Sequence, residues 1–150
     1  MRKIAYIEDF EKWQKEFTFS IPIRIRFSET DMFGHVNNVS PFIYFEEARI
    51  EYLKHVNLFD KSNHAERIPI VADLQCDYLQ QIYFDDQLSM YVKAAQIGKT
   101  SVDVHYMGVN QKNEICLTGR GRIVYINPTT GRPIGLSDAI KDKLMKSIAE

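Results

Sequence analysis

The stretch from residue 41 to 56 limits what this chain can fold into more than any other. Phe42, Ile43, Tyr44, Phe45, Ala48, Ile50, Tyr52, Leu53 and Val56 spread apolar surface around much of a helical circumference. A helix of that kind is wrapped by other elements rather than laid on a surface with one face in water. Ser40 and Pro41 read as its N-cap and first helical position. Serine can accept an orphan backbone N–H there, and proline has none to leave unpaired.

The wrapping material is written as strands. Phe17, Phe19, Ile21, Ile23, Ile25 and Phe27 alternate with Thr18, Ser20, Pro22, Arg24 and Arg26, a period of two held over the whole run. Pro22 cannot donate to a ladder, so the first half of this strand is expected at an edge or without full pairing. Four more patterns follow the helix. They are Ile68, Ile70, Ala72, Leu74, Cys76 and Tyr78; Leu88, Met90, Val92 and Ala94; Val102, Val104 and Tyr106; and Ile115, Leu117, Gly119, Gly121, Ile123 and Tyr125. Turn chemistry at Ile97-Gly-Lys-Thr100 and Asn110-Gln-Lys-Asn113 makes the later strands antiparallel neighbours. Residues 5–16 predict a short amphipathic helix, residues 57–67 a polar loop, and Ser137-Asp138 the cap of a short C-terminal helix. Strand, wrapped helix, then four antiparallel strands is an α+β layout of one sheet against one helix, within a single domain spanning residues 1–150. It leaves apolar surface to cover, so self-association is expected.

The bulk numbers fit a soluble domain, with 45% hydrophobic and 26% charged residues. A formal net charge of −1 gives no global attraction to nucleic acid or to an anionic membrane. No run reaches transmembrane length and no signal peptide is visible, so a cytoplasmic location is expected. Cys76 and Cys116 lie far apart in strand patterns and read as buried free thiols. His55, His64 and His105 show no metal-ligand spacing, and His105, opposite the apolar residues of its strand, reads as exposed.

Chemistry concentrates between the first strand and the helix, in Glu29-Thr-Asp-Met-Phe-Gly-His-Val-Asn-Asn-Val-Ser-Pro41. Asp31 supplies a carboxylate and His35 an imidazole. The adjoining helix start supplies free N–H groups and a partial positive charge, suited to an oxyanion. On the residues alone, Asp31 is either a base or nucleophile, or a turn-forming aspartate. His35 is either a helper or a loop anchor. Asn37 and Asn38 are either substrate contacts or caps, with capping favoured.

Arg26-Phe-Ser-Glu-Thr-Asp-Met-Phe-Gly-His-Val-Asn-Asn38, followed by Tyr44-Phe-Glu-Glu-Ala-Arg49, resembles the hotdog-fold thioesterases, and most closely their 4-hydroxybenzoyl-CoA thioesterase-like branch. The likeness runs from about residue 17 to 135. It implies a five-stranded antiparallel sheet curved around a long central helix. It implies a homodimer or homotetramer with sheets joined edge to edge and active sites between subunits. The implied activity is hydrolysis of an acyl thioester of coenzyme A, or of acyl carrier protein as in the plant branch, with no metal or other cofactor. Residue by residue, Asp31 and Gly34 match the family's catalytic aspartate and the glycine three positions on. Asn38 matches the position whose backbone N–H meets the thioester oxygen, and His35 matches the histidine of the plant branch. Phe33 stands where that branch has an asparagine. The catalytic set implied is therefore Asp31, His35 and Asn38, with Gly34 and Asn37 as substrate-binding positions. Glu46 is a reserve carboxylate on the helix, with pairing to Arg49 as its plainer role. Asp77-Tyr78 resembles strand residues that line such sites across the dimer. Lys99, Arg120, Arg122 and Arg132 are available to meet phosphates, each being also an ordinary surface charge. A non-catalytic acyl-thioester binding or sensing module is the alternative from another class. A dehydratase of the same fold would carry a His-rich motif that is not found.

Overall fold

The computed structural model describes residues 3–59 and 65–149. Helix α1 (Phe10–Lys15) and strand β1 (Phe19–Ile23) lead to a 3-10 turn (Phe27–Glu29) and helix α2 (Ser40–His55). Strands β2 (Ile68–Tyr78), β3 (Leu88–Ile97), β4 (Ser101–Val109) and β5 (Ile115–Ile126) follow, and α3 (Asp138–Lys146) ends the order. All strand pairs are antiparallel in one sheet ordered β1-β3-β4-β5-β2, so β1 and β2 are its edges. One long helix on the face of a five-stranded sheet is the hotdog arrangement. His64 and part of the 57–67 loop lie outside the described residues.

Helix α2 buries one side. Pro41, Tyr44, Phe45, Ala48 and Tyr52 form an i, i+3, i+4 stripe against the sheet, while Ile43 stays 52% exposed. Phe45 stacks on Tyr106 of β4, with ring centroids 4.4 Å apart and planes 18° apart. This approach requires Gly119 on β5, because a Cβ there would stand 2.5 Å from the Phe45 ring. Leu88, Met90, Val92, Val102, Val104, Leu117 and Ile123 complete the core beneath the helix. Arg49 donates to the Tyr106 hydroxyl at 3.2 Å instead of pairing with Glu46, which is exposed.

The opposite face of the sheet is covered too. The segment around α1 lays Ile4, Ile7 and Trp13 onto Met107, with Phe17 and Tyr91 beside them. This corrects two expectations. Helix α1 is shorter than residues 5–16, and His105 is buried at 6% exposure because α1 sits over it. Trp13 Nε1–H donates to His105 Nδ1 at 2.8 Å, and His105 Nε2 lies 3.0 Å from Asp103 Oδ2. Lys93, on the neighbouring strand, reaches the Trp13 carbonyl and Glu16 Oε1, each at 3.2 Å.

Strand β1 begins two residues later than its sequence pattern, at Phe19, and ends early at Ile23, where its partner runs out. Ile23 pairs with Leu88, the first residue of β3, and Arg24–Arg26 continue without a ladder. Ile25 remains buried, but Phe27 is 79% exposed. Ser137 caps α3, its Oγ accepting from Ile140 N–H at 3.3 Å. Neither cysteine forms a disulfide; Cys116 is buried and Cys76 half-buried. No helix among the described residues is long and apolar enough to cross a membrane.

Candidate active site

The loop between the 3-10 turn and α2 is closed on itself by short backbone bonds. Asn37 N–H donates to Glu29 O at 2.9 Å, Asp31 N–H to His35 O at 2.7 Å, and Gly34 N–H to Asp31 O at 3.1 Å. Gly34 has φ +78, a left-handed conformation that glycine adopts without Cβ strain. The loop is stitched to residues 82–84 through Val36 N–H to Ile82 O at 2.7 Å and Phe84 N–H to Gly34 O at 3.3 Å. Glu29 Oε1 accepts from Arg26 N–H at 2.8 Å and from the Tyr44 hydroxyl at 2.9 Å, tying the loop's start to the helix.

Asp31 is held at one oxygen only. Its Oδ1 accepts from Phe33 N–H at 2.8 Å and His35 N–H at 3.2 Å, an Asx-type turn. Its Oδ2 has no hydrogen-bond partner among the described residues. The turn therefore orients the carboxylate without occupying it. His35 is half-buried, its ring edge-on to Tyr83 with centroids 5.0 Å apart.

The helix start is capped differently from the sequence expectation. Val39, not Ser40, is the N-cap, which makes Ser40 and Pro41 the first two helical residues. The cap acceptor is Asn37, whose Oδ1 receives Val39 N–H and Ser40 N–H, each at 2.9 Å. Ser40 Oγ–H lies between Asn37 Oδ1 at 3.0 Å and Glu29 O at 3.1 Å. An amide oxygen two residues ahead of the N-cap can collect two orphan donors at once, and serine at the cap position could not. Asn37 thus has its side-chain oxygen committed to capping. The Asn38 N–H, by contrast, has no acceptor among the described residues. The Asn38 carbonyl accepts from the Tyr78 hydroxyl, which anchors this backbone turn to the end of β2.

Asp31 and Asn38 line the same cavity, of about 680 Å³, together with Val36, Pro41, Tyr78 and Ile82. Gly34, His35 and Asn37 frame the same loop and are not among the residues that line the cavity. Burial pushes the Tyr78 phenol up to about 12, with Cys76 adding to the shift, so it stays a neutral donor. Asp77, next to it, points to the other face, where Tyr6 and Gln75 donate to its Oδ2. Tyr78 and Glu29 are the parts that sequence reasoning undervalued. The resemblance offers Tyr78 only as a lining residue and not as the anchor of the Asn38 carbonyl, and Glu29 acts through folding contacts that no spacing announces. Among the phosphate candidates, Arg120 is committed to Asp103 and Asp73. Among the described residues no three His, Cys, Asp or Glu side chains gather in a way that could hold a metal ion.

The model of the thioesterase-like superfamily matches residues 25–144. The uncharacterized protein YsmA of Bacillus subtilis strain 168 is 42% identical over 146 residues, covering 97% of this chain and 98% of that one. The acyl-CoA thioester hydrolase YbgC of Escherichia coli O6:H1 is 26% identical over 123 residues, covering 81% and 92%. A thioesterase from Thermus thermophilus, solved with coenzyme A and Zn, superimposes with a TM-score of 0.76 at 26% identity, covering 89% and 96%.

Proposed function

The chain belongs to the thioesterase-like superfamily and is a thioesterase, and on that footing we propose that it hydrolyses acyl-CoA thioesters to a free acid and coenzyme A. One observation carries the mechanism: a carboxylate with a free oxygen and a backbone N–H with no acceptor line one cavity. In this reading the thioester oxygen sits on the Asn38 N–H. Asp31 Oδ2 takes a proton from water as the water oxygen attacks the carbonyl carbon; the carbon–sulfur bond then breaks and the proton held by Asp31 passes to the thiolate. Alternatively Oδ2 attacks that carbon itself and the carbon–sulfur bond breaks. The thiolate then takes a proton from water, and a second water hydrolyses the acyl-aspartyl anhydride to the free acid. Asn38 N–H stabilises the negative charge that grows on the oxygen, a role suited to a fixed donor near a helix start.

His35 has the lesser part. Its ring packs edge-on against Tyr83, which lines the cavity, and its backbone N–H holds Asp31 Oδ1, so it positions the carboxylate. Gly34 and Asn37 shape the loop around the substrate through backbone conformation and capping. The acyl-CoA assignment is supported by the YbgC relative and by the coenzyme A in the Thermus structure.

The reading includes a second copy of the chain. The edge strand β2 leaves Ile70 at 43% and Val71 at 39% exposure, and the chain continues from its end along the cavity wall through Leu79 to Ile82. Pairing of two copies along this edge would remove apolar surface from water and close the cavity.

Thiol release over a panel of acyl-CoAs and acyl carrier protein thioesters tests the assignment. Asp31→Asn should lower kcat by about two to four orders of magnitude with the fold intact, and His35→Ala by much less. A folded Asp31→Asn protein with full turnover would exclude Asp31 as the reacting carboxylate. Tight binding without thiol release by the wild type would point to a binding module instead.

A further inference from the structure

On the other side of the Glu29–Asp31 segment lies a second cavity, of about 530 Å³, which the mechanism does not use. Arg24, Arg26, Phe27, Ile43, Glu47 and Phe84 are among the residues that line it. Its volume falls within the roughly 300–1,000 Å³ of small-molecule sites. We propose that this cavity holds the nucleotide end of coenzyme A, with the two arginines on its phosphates and the two phenylalanines against its adenine. The proposal rests on the acyl-CoA reading above and extends it to a second site.

Arg24 and Arg26 are two residues apart on extended backbone, so their side chains leave on the same side while Ile25 between them is buried. Both are exposed, and neither guanidinium has a carboxylate partner among the described residues. Arg120 and Arg67 are, in contrast, already ion-paired. A pair of free guanidiniums on one side offers forked donors to phosphate oxygens. Beside them Phe27 is 79% and Phe84 46% exposed, packed edge to face with centroids 5.9 Å apart. Two aromatic rings left in water beside cations form a stacking surface that a base would cover. Glu47, exposed at the rim, can accept from an exocyclic amine. Glu29 also lines the cavity, but its Oε1 is already engaged by the Arg26 N–H and the Tyr44 hydroxyl.

The place is right for a ligand whose other end reacts at Asp31. Tyr83 lines the first cavity and Phe84 the second. The two cavities therefore meet at consecutive residues, whose Cα atoms are about 3.8 Å apart. A pantetheine arm laid across these residues would join the nucleotide to the thioester.

The test compares the wild type with Arg24→Ala/Arg26→Ala and with Phe84→Ala, all altered away from Asp31 and Asn38. Titration calorimetry with coenzyme A should show binding to the wild type that weakens about tenfold or more in the double-arginine variant. KM for acyl-CoA should rise by a similar factor with kcat unchanged, while kinetics with the matching acyl-pantetheine stay the same. Phe84→Ala should weaken coenzyme A binding in the same direction. Unchanged affinity and KM in the arginine variant would overturn the site, as would an equal loss with acyl-pantetheine. If the wild type binds coenzyme A through these arginines yet releases no thiol, the site stands and the hydrolysis reading falls. If it hydrolyses acyl-CoA with no arginine dependence, hydrolysis stands and the site falls.

Discussion

At the scale of single residues, the loop before α2 separates the side chain proposed to react, Asp31, from side chains that build the place for it. Asn37 is a builder. Its Oδ1 holds two backbone N–H groups, so Asn37→Ala should cost about 1 kcal/mol of stability, read from chemical denaturation. It should also lower kcat/KM, because the neighbouring Asn38 N–H loses its fixed direction. Tyr78 is a second builder. Tyr78→Phe removes the hydroxyl that holds the Asn38 carbonyl. The expected result is a lower kcat with little change in KM, which steady-state kinetics would show; an unchanged kcat would mean the turn keeps its shape without this bond. Asp31 can be tested for its mode of action as well. Label found on Asp31 after a single turnover in heavy-oxygen water identifies the carboxylate as the attacking group, because it arises only when water opens an acyl-aspartyl anhydride at the aspartyl carbon. Cys116 carries no reactivity, since burial, reinforced by Asp86 and Glu114, pushes its thiol up to about 11. It should stay unmodified by a thiol reagent until the protein unfolds.

At the scale of elements, two contacts decide how the layers sit. The first is α2 on β5, where Phe45 occupies the space a side chain on Gly119 would need. Gly119→Ala should destabilise by about 1–3 kcal/mol, since the nearest ring atoms stand 2.5 and 2.6 Å from the added carbon. A thermal melt measures it. The second is α1 on the outer face of the sheet. Trp13 donates to His105 Nδ1, so the neutral imidazole carries its hydrogen on Nε2 and donates to Asp103. Burial raises the pKa of Asp103, but the His105 hydrogen bond and the Arg120 ion pair outweigh it and hold the carboxyl at about 2 against 3.8. A carboxyl depressed in the folded state adds stability that is fully present above its unfolded value and is lost as pH falls through its folded value. The window is therefore from about pH 4 down to about pH 2, and the contribution is about 2 kcal/mol. Denaturation at stepped pH should show this loss in the wild type, and Asp103→Asn should flatten that part of the profile. A profile that keeps its slope in the variant would assign the acid sensitivity to other carboxylates.

At the scale of the whole molecule, the unpaired β2 edge and the open cavity beside it belong together. Val71→Asp puts a charge on the outer edge, away from Asp31 and Asn38. It should yield smaller particles by light scattering and a large loss of thiol release; a monomer of full activity would show that one copy suffices. Much of this organisation is legible in the sequence. The period-2 runs named all five strands, the apolar stretch after Pro41 named the central helix, and the Asp31–Asn38 run named the loop. These features are local: alternation, capping and turn chemistry depend on residues within one or two turns of each other. The rest depends on what the chain brings against itself. Strand β1 stops at Ile23 because β3 begins at Leu88, and no pattern within β1 contains that information. His105 is buried because α1 folds over a face that its own strand marks as polar. Tyr78 meets the loop from 40 residues away in sequence, and that Arg24 and Arg26 have no carboxylate partner among the described residues follows only from where the chain places those carboxylates. By itself, the sequence determined the elements and the candidate loop, because those follow from neighbouring residues. Only the tertiary structure decided that, among the described residues, Asp31 keeps one oxygen free and the Asn38 N–H goes unclaimed, and that both open into one cavity, because a hydrogen-bonding group is free only after all its possible partners have taken their places.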